Sequence, residues 1–332
     1  MIAQAVGSAR SLFPGVMASI IVAIAAVFLN EHYGAPAMLF ALLLGLSFKF
    51  LSEEGPCVPG IMMASTTILR IGVALLGFRI TTEQIIALGP SALLTIIAAV
   101  IGIVGLGLGL ARLLGLDWKL GLLTGGAVGI CGAAAALTIA ALLPKDEDTA
   151  RRTLFTVVGV TALSTVAMIA YPVLAAYLGL SAHDTGFFLG ATIHDVAQVM
   201  GAAYAVSEDT GDSAALTKMM RVAMLVPMAI AITIALSGAV MRPNGLRRAL
   251  PWFLAFFAVF AAANSMSLVP AVVSEQMSVV SRWCLIIGIA AMGMRTSFKE
   301  VLAIGPRAIA LLCIETLALG MLILGTIFLG AG

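Results

Sequence analysis

Three side chains able to do chemistry stand close together in an otherwise apolar stretch, GATIHDVAQVMGAAYAV at 190–206. They are His194, Asp195 and Gln198. On a helix, His194 and Gln198 share a face, while Asp195 points about 100° away. Imidazole and carboxyl can each take up and release a proton, so His194 and Asp195 are the candidates for coupling proton movement to another event. A second stretch, GGAVGICGA at 125–133, carries no charge and little bulk. Gly125, Gly126, Gly129 and Gly132 leave bare backbone around Ile130 and Cys131. A helix restarting after Gly132 would aim free N–H groups at the gap, which suits an anion. The competing reading is close packing of two helices through small residues. Taken together, the candidate binding set is Gly129, Ile130, Cys131, Gly132 and Ala133 on one side, with His194, Asp195 and Gln198 on the other.

The elements that must position these residues lie in a bilayer. Of 332 residues, 61% are hydrophobic and 10% charged, and the mean hydropathy is +1.13. Soluble domains carry about 25% charged residues. The chain therefore reads as an all-α polytopic membrane protein, a single transmembrane transporter domain over 1–332. The formal net charge of +2 comes with no basic patch for nucleic acid. Four cysteines without a CxxC pair or a His/Cys cluster argue against a metal site or a disulfide framework. There is no GxxxxGK[ST] loop for ATP, and no cofactor is expected. The opening apolar run lacks a small-residue cleavage site and reads as a retained first span.

Candidate segments at the required length of about 20 apolar residues fall at 14–29, 35–51, 58–78, 88–111, 120–143, 152–180, 185–206, 219–241, 249–264, 278–294 and 305–330. Two of the eleven, 120–143 and 185–206, are expected to be broken or re-entrant. Loop charge supports re-entry. If all eleven cross, Lys and Arg divide ten against seven; if these two re-enter, the division is thirteen against four. The positive-inside rule then gives nine crossings, a cytoplasmic N-terminus and an external C-terminus.

An internal repeat is visible. GVALLGFRITTEQIIALGP (72–90) and GIAAMGMRTSFKEVLAIGP (288–306) share seven of nineteen residues at an offset of 216. Pro36 and Pro251 lead the apolar spans before each copy, which gives repeat arms 35–111 and 249–330. An odd number of crossings separates them, so they must be inverted, as in many secondary transporters. The stretches 120–143 and 185–206 are expected to form a second inverted pair meeting near the midplane. Arg70 and Glu315, intramembrane and one in each arm, read as a structural ion pair or as snorkelling. Arg79 and Arg295 read as loop anchors, and Asn264 and Ser265 as a helix end.

At this point the motifs resemble a known family. LRIGVALLGFRIT (69–81), GGAVGICGAAAALTIA (125–140), GATIHDVAQVMGAAYAVSED (190–209), LTKMMRVAMLVP (216–227) and PWFLAFFAVFAAANS (251–265) are similar, in order, to blocks of the bacterial YeiH family, also called UPF0324, whose suggested role is export of sulfate or related sulfur oxyanions. The resemblance spans nearly the whole chain. It implies a secondary transporter of the inner membrane, grouped with sodium/proton antiporters and bile-acid symporters. Two departures stand out: Val128 and Gly129 replace the serines common in the family, and Asp195 shortens its usual glutamate. The expected function is alternating-access transport of a small anion, sulfate or an organosulfonate, coupled to H+ or Na+. The expected partners are that solute, the coupling ion, lipid and a second copy of the chain in a homodimer. The alternatives are a cation/proton antiporter, whose usual adjacent aspartates are missing, and a membrane enzyme acting on a lipid head group, which would need a metal or acidic cluster. The chain is not expected to be an enzyme.

Overall fold

The computed structural model describes residues 2–33, 37–78, 82–144, 146–237, 252–266, 268–295 and 306–330. All regular structure among them is helical. In chain order the helices are α1 (Ile2–Tyr33), α2 (Ala37–Ser47), α3 (Val58–Phe78), α4 (Thr82–Leu113), α5 (Trp118–Gly129), α6 (Ala133–Leu142) and α7 (Thr149–Tyr177). Then follow α8 (Ala182–Thr192), α9 (Val196–Tyr204), α10 (Glu208–Ala223), α11 (Leu225–Ser237), α12 (Trp252–Ser265), α13 (Ala271–Arg295) and α14 (Pro306–Phe328). Among the described residues, seven helical stretches are long and apolar enough to cross a membrane. These are Ser11–Tyr33, Val58–Phe78, Gly89–Leu113, Arg151–Tyr177, Glu208–Leu236, Ala271–Arg295 and Arg307–Phe328. The expected segments 35–51 and 249–264 are represented by shorter helices, α2 and α12. Pro36, Arg79, Lys145, Arg242, Arg247, Arg248, Pro251, Lys299 and Gly305, all used in the sequence argument, lie outside the described residues.

The chain divides into two compact units. The first holds residues 1–82, 200–212 and 255–296. Its centre is the packing of α3 on α13. Leu285 packs on Gly72 and Leu69 packs on Gly288; at the offset of 216, Leu285 is the counterpart of Leu69 and Gly288 of Gly72. Ser65 accepts a hydrogen bond of 2.9 Å from Arg295. Numbers fall along α13 as they rise along α3, so these two helices run antiparallel. Similarly, Gly77 lies against the backbone of Phe257 and Ala261, and its counterpart Gly293 against Leu42 and Gly45. Phe78 O accepts from Ser274 Oγ at 2.8 Å, and its counterpart Met294 O from Ser52 Oγ at 2.7 Å. Arg70 belongs to this unit and is exposed.

The second unit holds residues 83–199, 213–254 and 297–332. Here the two polar, small-residue stretches form pairs of half-length helices. α5, of 12 residues, stops at Gly129, and α6 restarts at Ala133. α8, of 11 residues, stops at Thr192, and α9 restarts at Val196. At 1.5 Å per residue, either leading half is about 18 Å long, enough to reach the middle of a bilayer but not its far side. α7, of 29 residues, joins the two pairs and spans about 43 Å.

Both ends of the first pair meet. Lys119, in the first turn of α5, donates to Pro144 O just after α6 (3.2 Å) and pairs with Asp146 (2.6 Å). Arg152 closes the cluster on Asp117 (2.6 Å) and Asp146 (2.9 Å). Asp146 is thereby held well below the usual carboxylate range, chiefly by its hydrogen bond from Lys119 and then by those from Thr149 and Arg152. Deeper in, Gly126 faces Ile139. Leu122, Leu123, Ile139 and Leu143 share one apolar cluster with Val104 and Ile232. For the second pair, Ser213 Oγ near the start of α10 donates to His183 O at the start of α8 (3.2 Å).

Candidate functional site

Stopping a helix in the membrane interior strands its last carbonyls, and a stranded buried carbonyl costs about 1–3 kcal/mol. At the first break, Ile130 N and Gly132 N turn back to Gly126 O (3.1 Å) and Ala127 O (2.8 Å). Val128 O, Gly129 O and Ile130 O still need donors. At the second break, Ile193 N returns to Leu189 O (3.1 Å), which leaves Gly190 O, Ile193 O and His194 O. Two cations one helical turn apart on α10 serve all six. Lys218 Nζ donates to Ile130 O (3.0 Å), Ile193 O (2.9 Å) and His194 O. Arg221 donates to Gly129 O (3.1 Å), Val128 O, Gly190 O (3.4 Å) and Ile193 O (3.2 Å). The ammonium has three donors, and all three are used. The guanidinium spreads its planar fork over both breaks. Lys218 is 0% and Arg221 2% exposed.

The loop charges counted from sequence include Lys218 and Arg221, and the structure withdraws both because they are buried. The i,i+3 spacing, which puts both on one face next to apolar neighbours, was the available signal.

With the carbonyl ends held, the two breaks touch. A Cβ on Gly132 would lie 3.6 Å from His194. Gly132 has φ 66° and ψ −127°, a backbone conformation open to glycine and strained for other residues. Gly129, the last residue of α5, and Ile130, Cys131 and Gly132 are buried, while Ala133, the first residue of α6, is half-buried. No side chain caps α6. The second break is rich in side-chain bonds. His194 is fully buried, and its Nε2 lies 3.0 Å from Thr316 Oγ1 on α14. Ser164 Oγ on α7 accepts from His194 N (3.2 Å) and Asp195 N (3.1 Å). Asp195 Oδ1 caps α9 by accepting from Ala197 N (2.8 Å). Gln198 Nε2 donates to Thr165 Oγ1 (2.9 Å). His194 Nδ1 and Gln198 Oε1 are buried without a partner. Asp195, Val196 and Ala197 are half-buried.

The eight residues singled out in the sequence thus lie at two adjoining breaks in the second unit. Ser164, Thr165, Lys218, Arg221 and Thr316 were not singled out. Ser164, Thr165 and Thr316 look like ordinary small polar residues of apolar helices, and no local pattern marks them. Glu315 bonds Thr124 Oγ1 (2.9 Å) and not a base, unlike the ion pair read from sequence. Asn264 Oδ1 accepts from Ser274 (3.1 Å) at the end of α12, and Arg295 holds Ser65.

The comparisons agree on the family. A family model described as "Conserved hypothetical protein 698" matches residues 14–312. A UPF0324 membrane protein of Chlorobaculum tepidum is 51% identical over 95% of this chain and 89% of its own. One from Rhizobium meliloti is 50% identical, covering 96% and 93%. The UPF0324 membrane protein TauZ of Paracoccus denitrificans is 47% identical, covering 96% and 95%. With seven apolar helices of crossing length and relatives matched nearly end to end, this multi-pass chain belongs to the UPF0324 family of membrane proteins.

Proposed function

We propose that the chain is a secondary transporter, not an enzyme, that moves a small anion across the bacterial inner membrane by alternating access around the two breaks. One observation carries this reading. Lys218 and Arg221 occupy the carbonyl ends of α5 and α8, so the groups left at the junction are the uncapped amide end of α6 with His194, Asp195 and Gln198. Amide ends favour anions, and the half-buried residues Ala133 and Asp195–Ala197 are where the junction is reached from outside. Sulfate or a small organosulfonate has the matching charge and oxygens. His194 or Asp195 is the coupling group, with H+ or Na+ as the ion. A homodimer is the expected assembly.

The same reading includes inverted repeats and two re-entrant hairpins. The reciprocal pairs Leu69–Gly288 and Gly72–Leu285 support the first. The bond from Lys119 to Pro144 supports re-entry of 120–143. Withdrawing the buried Lys218 and Arg221 from the loop charges sharpens the division to thirteen against two, which supports a cytoplasmic N-terminus. The test is flux in proteoliposomes under an imposed pH or sodium gradient, with labelled sulfate, sulfite and methanesulfonate as probes. Uptake of one of them above protein-free vesicles is expected. A folded, correctly inserted protein that moves none of them overturns the anion reading; sodium-dependent proton movement without any anion replaces it with a cation antiporter.

A further inference from the structure

Glu315 lies in the middle of α14 and is 0% exposed. Its Oε1 accepts from Thr124 Oγ1 on α5 at 2.9 Å, and its Oε2 is buried with no hydrogen-bond partner. A Cβ on Gly107 of α4 would lie 2.5 Å from Oε1, so that oxygen rests against the bare glycine where α4 meets α5. No base pairs with it among the described residues. Among the described side chains, the ionisable groups on the elements around it are Arg112 on α4, Lys119 on α5, Arg151, Arg152, Tyr171 and Tyr177 on α7, His183 and Asp184 on α8, Arg307 and Cys313 on α14 itself, and His194 at the second break. None of these bonds Glu315. Lys119 and Arg152 are committed to the cluster at the mouth of the first hairpin.

A fully buried carboxyl oxygen without a donor is rare in folded proteins, and at membrane depth it marks a place where something binds and leaves. A proton bound at Oε2 supplies the missing donor without any further partner. Its neighbour in sequence, Thr316, holds His194 at 3.0 Å. Consecutive residues of α14 therefore touch the helix leading to the first break and the second break itself. We propose that Glu315 is a reversible proton-binding site whose occupancy is sensed at both breaks. Its role as a further coupling site, beside His194 or Asp195, rests on the transporter reading above; proton binding does not. The step is a plain protonation: Oε2 gains the proton from water reaching the site and returns it to water.

Two measurements on purified full-length protein separate these levels. The first is infrared difference spectroscopy between acidic and alkaline pH, which reads the carbonyl stretch of a protonated buried carboxyl. A pH-dependent band that is absent in Glu315→Gln supports the proposal, and the same band in both proteins overturns it. Thr124→Val, which removes the donor to Oε1 while keeping the shape, should shift the band; an unshifted band counts against the site even if Glu315→Gln does not fold. The second is uptake of labelled sulfate or methanesulfonate into proteoliposomes. Glu315→Gln should exchange the probe down its own gradient while losing accumulation driven by a pH gradient. Unchanged pH-driven accumulation overturns the coupling role. A band that vanishes in Glu315→Gln, with no probe moved by wild type, keeps the proton site and removes the transport reading.

Discussion

The two breaks in the second unit share the same cations and differ in everything else. The first, Ile130–Gly132, is made of backbone. Its turn depends on one glycine, and α6 begins without a side-chain cap. The second, Ile193–Asp195, is made of side chains, with Ser164, Thr316 and the Asp195 cap all bonded to it. A tip of bare backbone can approach a ligand closely but cannot titrate. A tip built from His194 and Asp195 carries ionisable side chains but needs support from α7 and α14. Under the proposed function, one break supplies a surface for binding and the other a means of responding to protons.

The cations common to both should give the largest effect. Arg221→Met leaves three carbonyls, Val128 O and Gly129 O at the first break and Gly190 O at the second, without donors, at about 1–3 kcal/mol each. That sum is comparable to the whole stability of a domain, so loss of monodisperse protein on size-exclusion chromatography is expected. Lys218→Met strands two carbonyls, Ile130 O and His194 O, and should be less severe. A well-folded Arg221→Met protein would show that the breaks are held by something other than these cations.

The next effects separate the two tips. Gly132→Ala forces a side chain into φ 66°, at a cost of about 1–3 kcal/mol. It should lower the melting temperature, although the new methyl meets His194 only at van der Waals distance. At the other tip, Asp195→Asn keeps an oxygen for Ala197 N and so leaves the cap within about 0.5 kcal/mol, while Asp195→Ala loses about 1 kcal/mol. If the second tip is the responsive one, Asp195→Asn melts like wild type but has an altered pH profile of flux. Equal pH profiles for Asp195→Asn and wild type would remove Asp195 from coupling.

Much of this contrast was legible in the residues. Missing bulk at 125–133 and an ionisable pair at 194–195 both mark places where a membrane helix cannot continue unaided, and helices do stop there. Small residues at fixed places were legible too, and Gly72, Gly77, Gly288 and Gly293 sit at helix crossings. What stayed hidden was tertiary. Sequence gives the cost of stranding six carbonyls but not which donors relieve it. Lys218 and Arg221 lie more than 80 residues from the first break, and near the start of a span a base looks the same whether it faces headgroups or a buried helix end. Glu315 was noticed, but its partner Thr124 could be found only by folding α14 against α5.

The smallest expected effect lies at the hairpin mouths. The first mouth is tied by charge, through Lys119, Asp146 and Arg152; at the second, Ser213 donates to a backbone carbonyl. Asp146 has its carboxyl pKa lowered on folding. The sign follows from linkage: the folded state binds the proton more weakly, so the stabilisation is present above the unfolded value of 3.8 and is lost as pH falls through the lower, folded value. Asp146→Asn should therefore lower the melting temperature slightly and evenly between about pH 5 and 8. The deficit should shrink with added salt, because the cluster is solvent-accessible and screened. Ser213→Ala, at the uncharged mouth, should show no such salt dependence. A salt-independent deficit in Asp146→Asn would mean that the mouth is held by the backbone bond from Lys119 to Pro144, and the two mouths would then be alike.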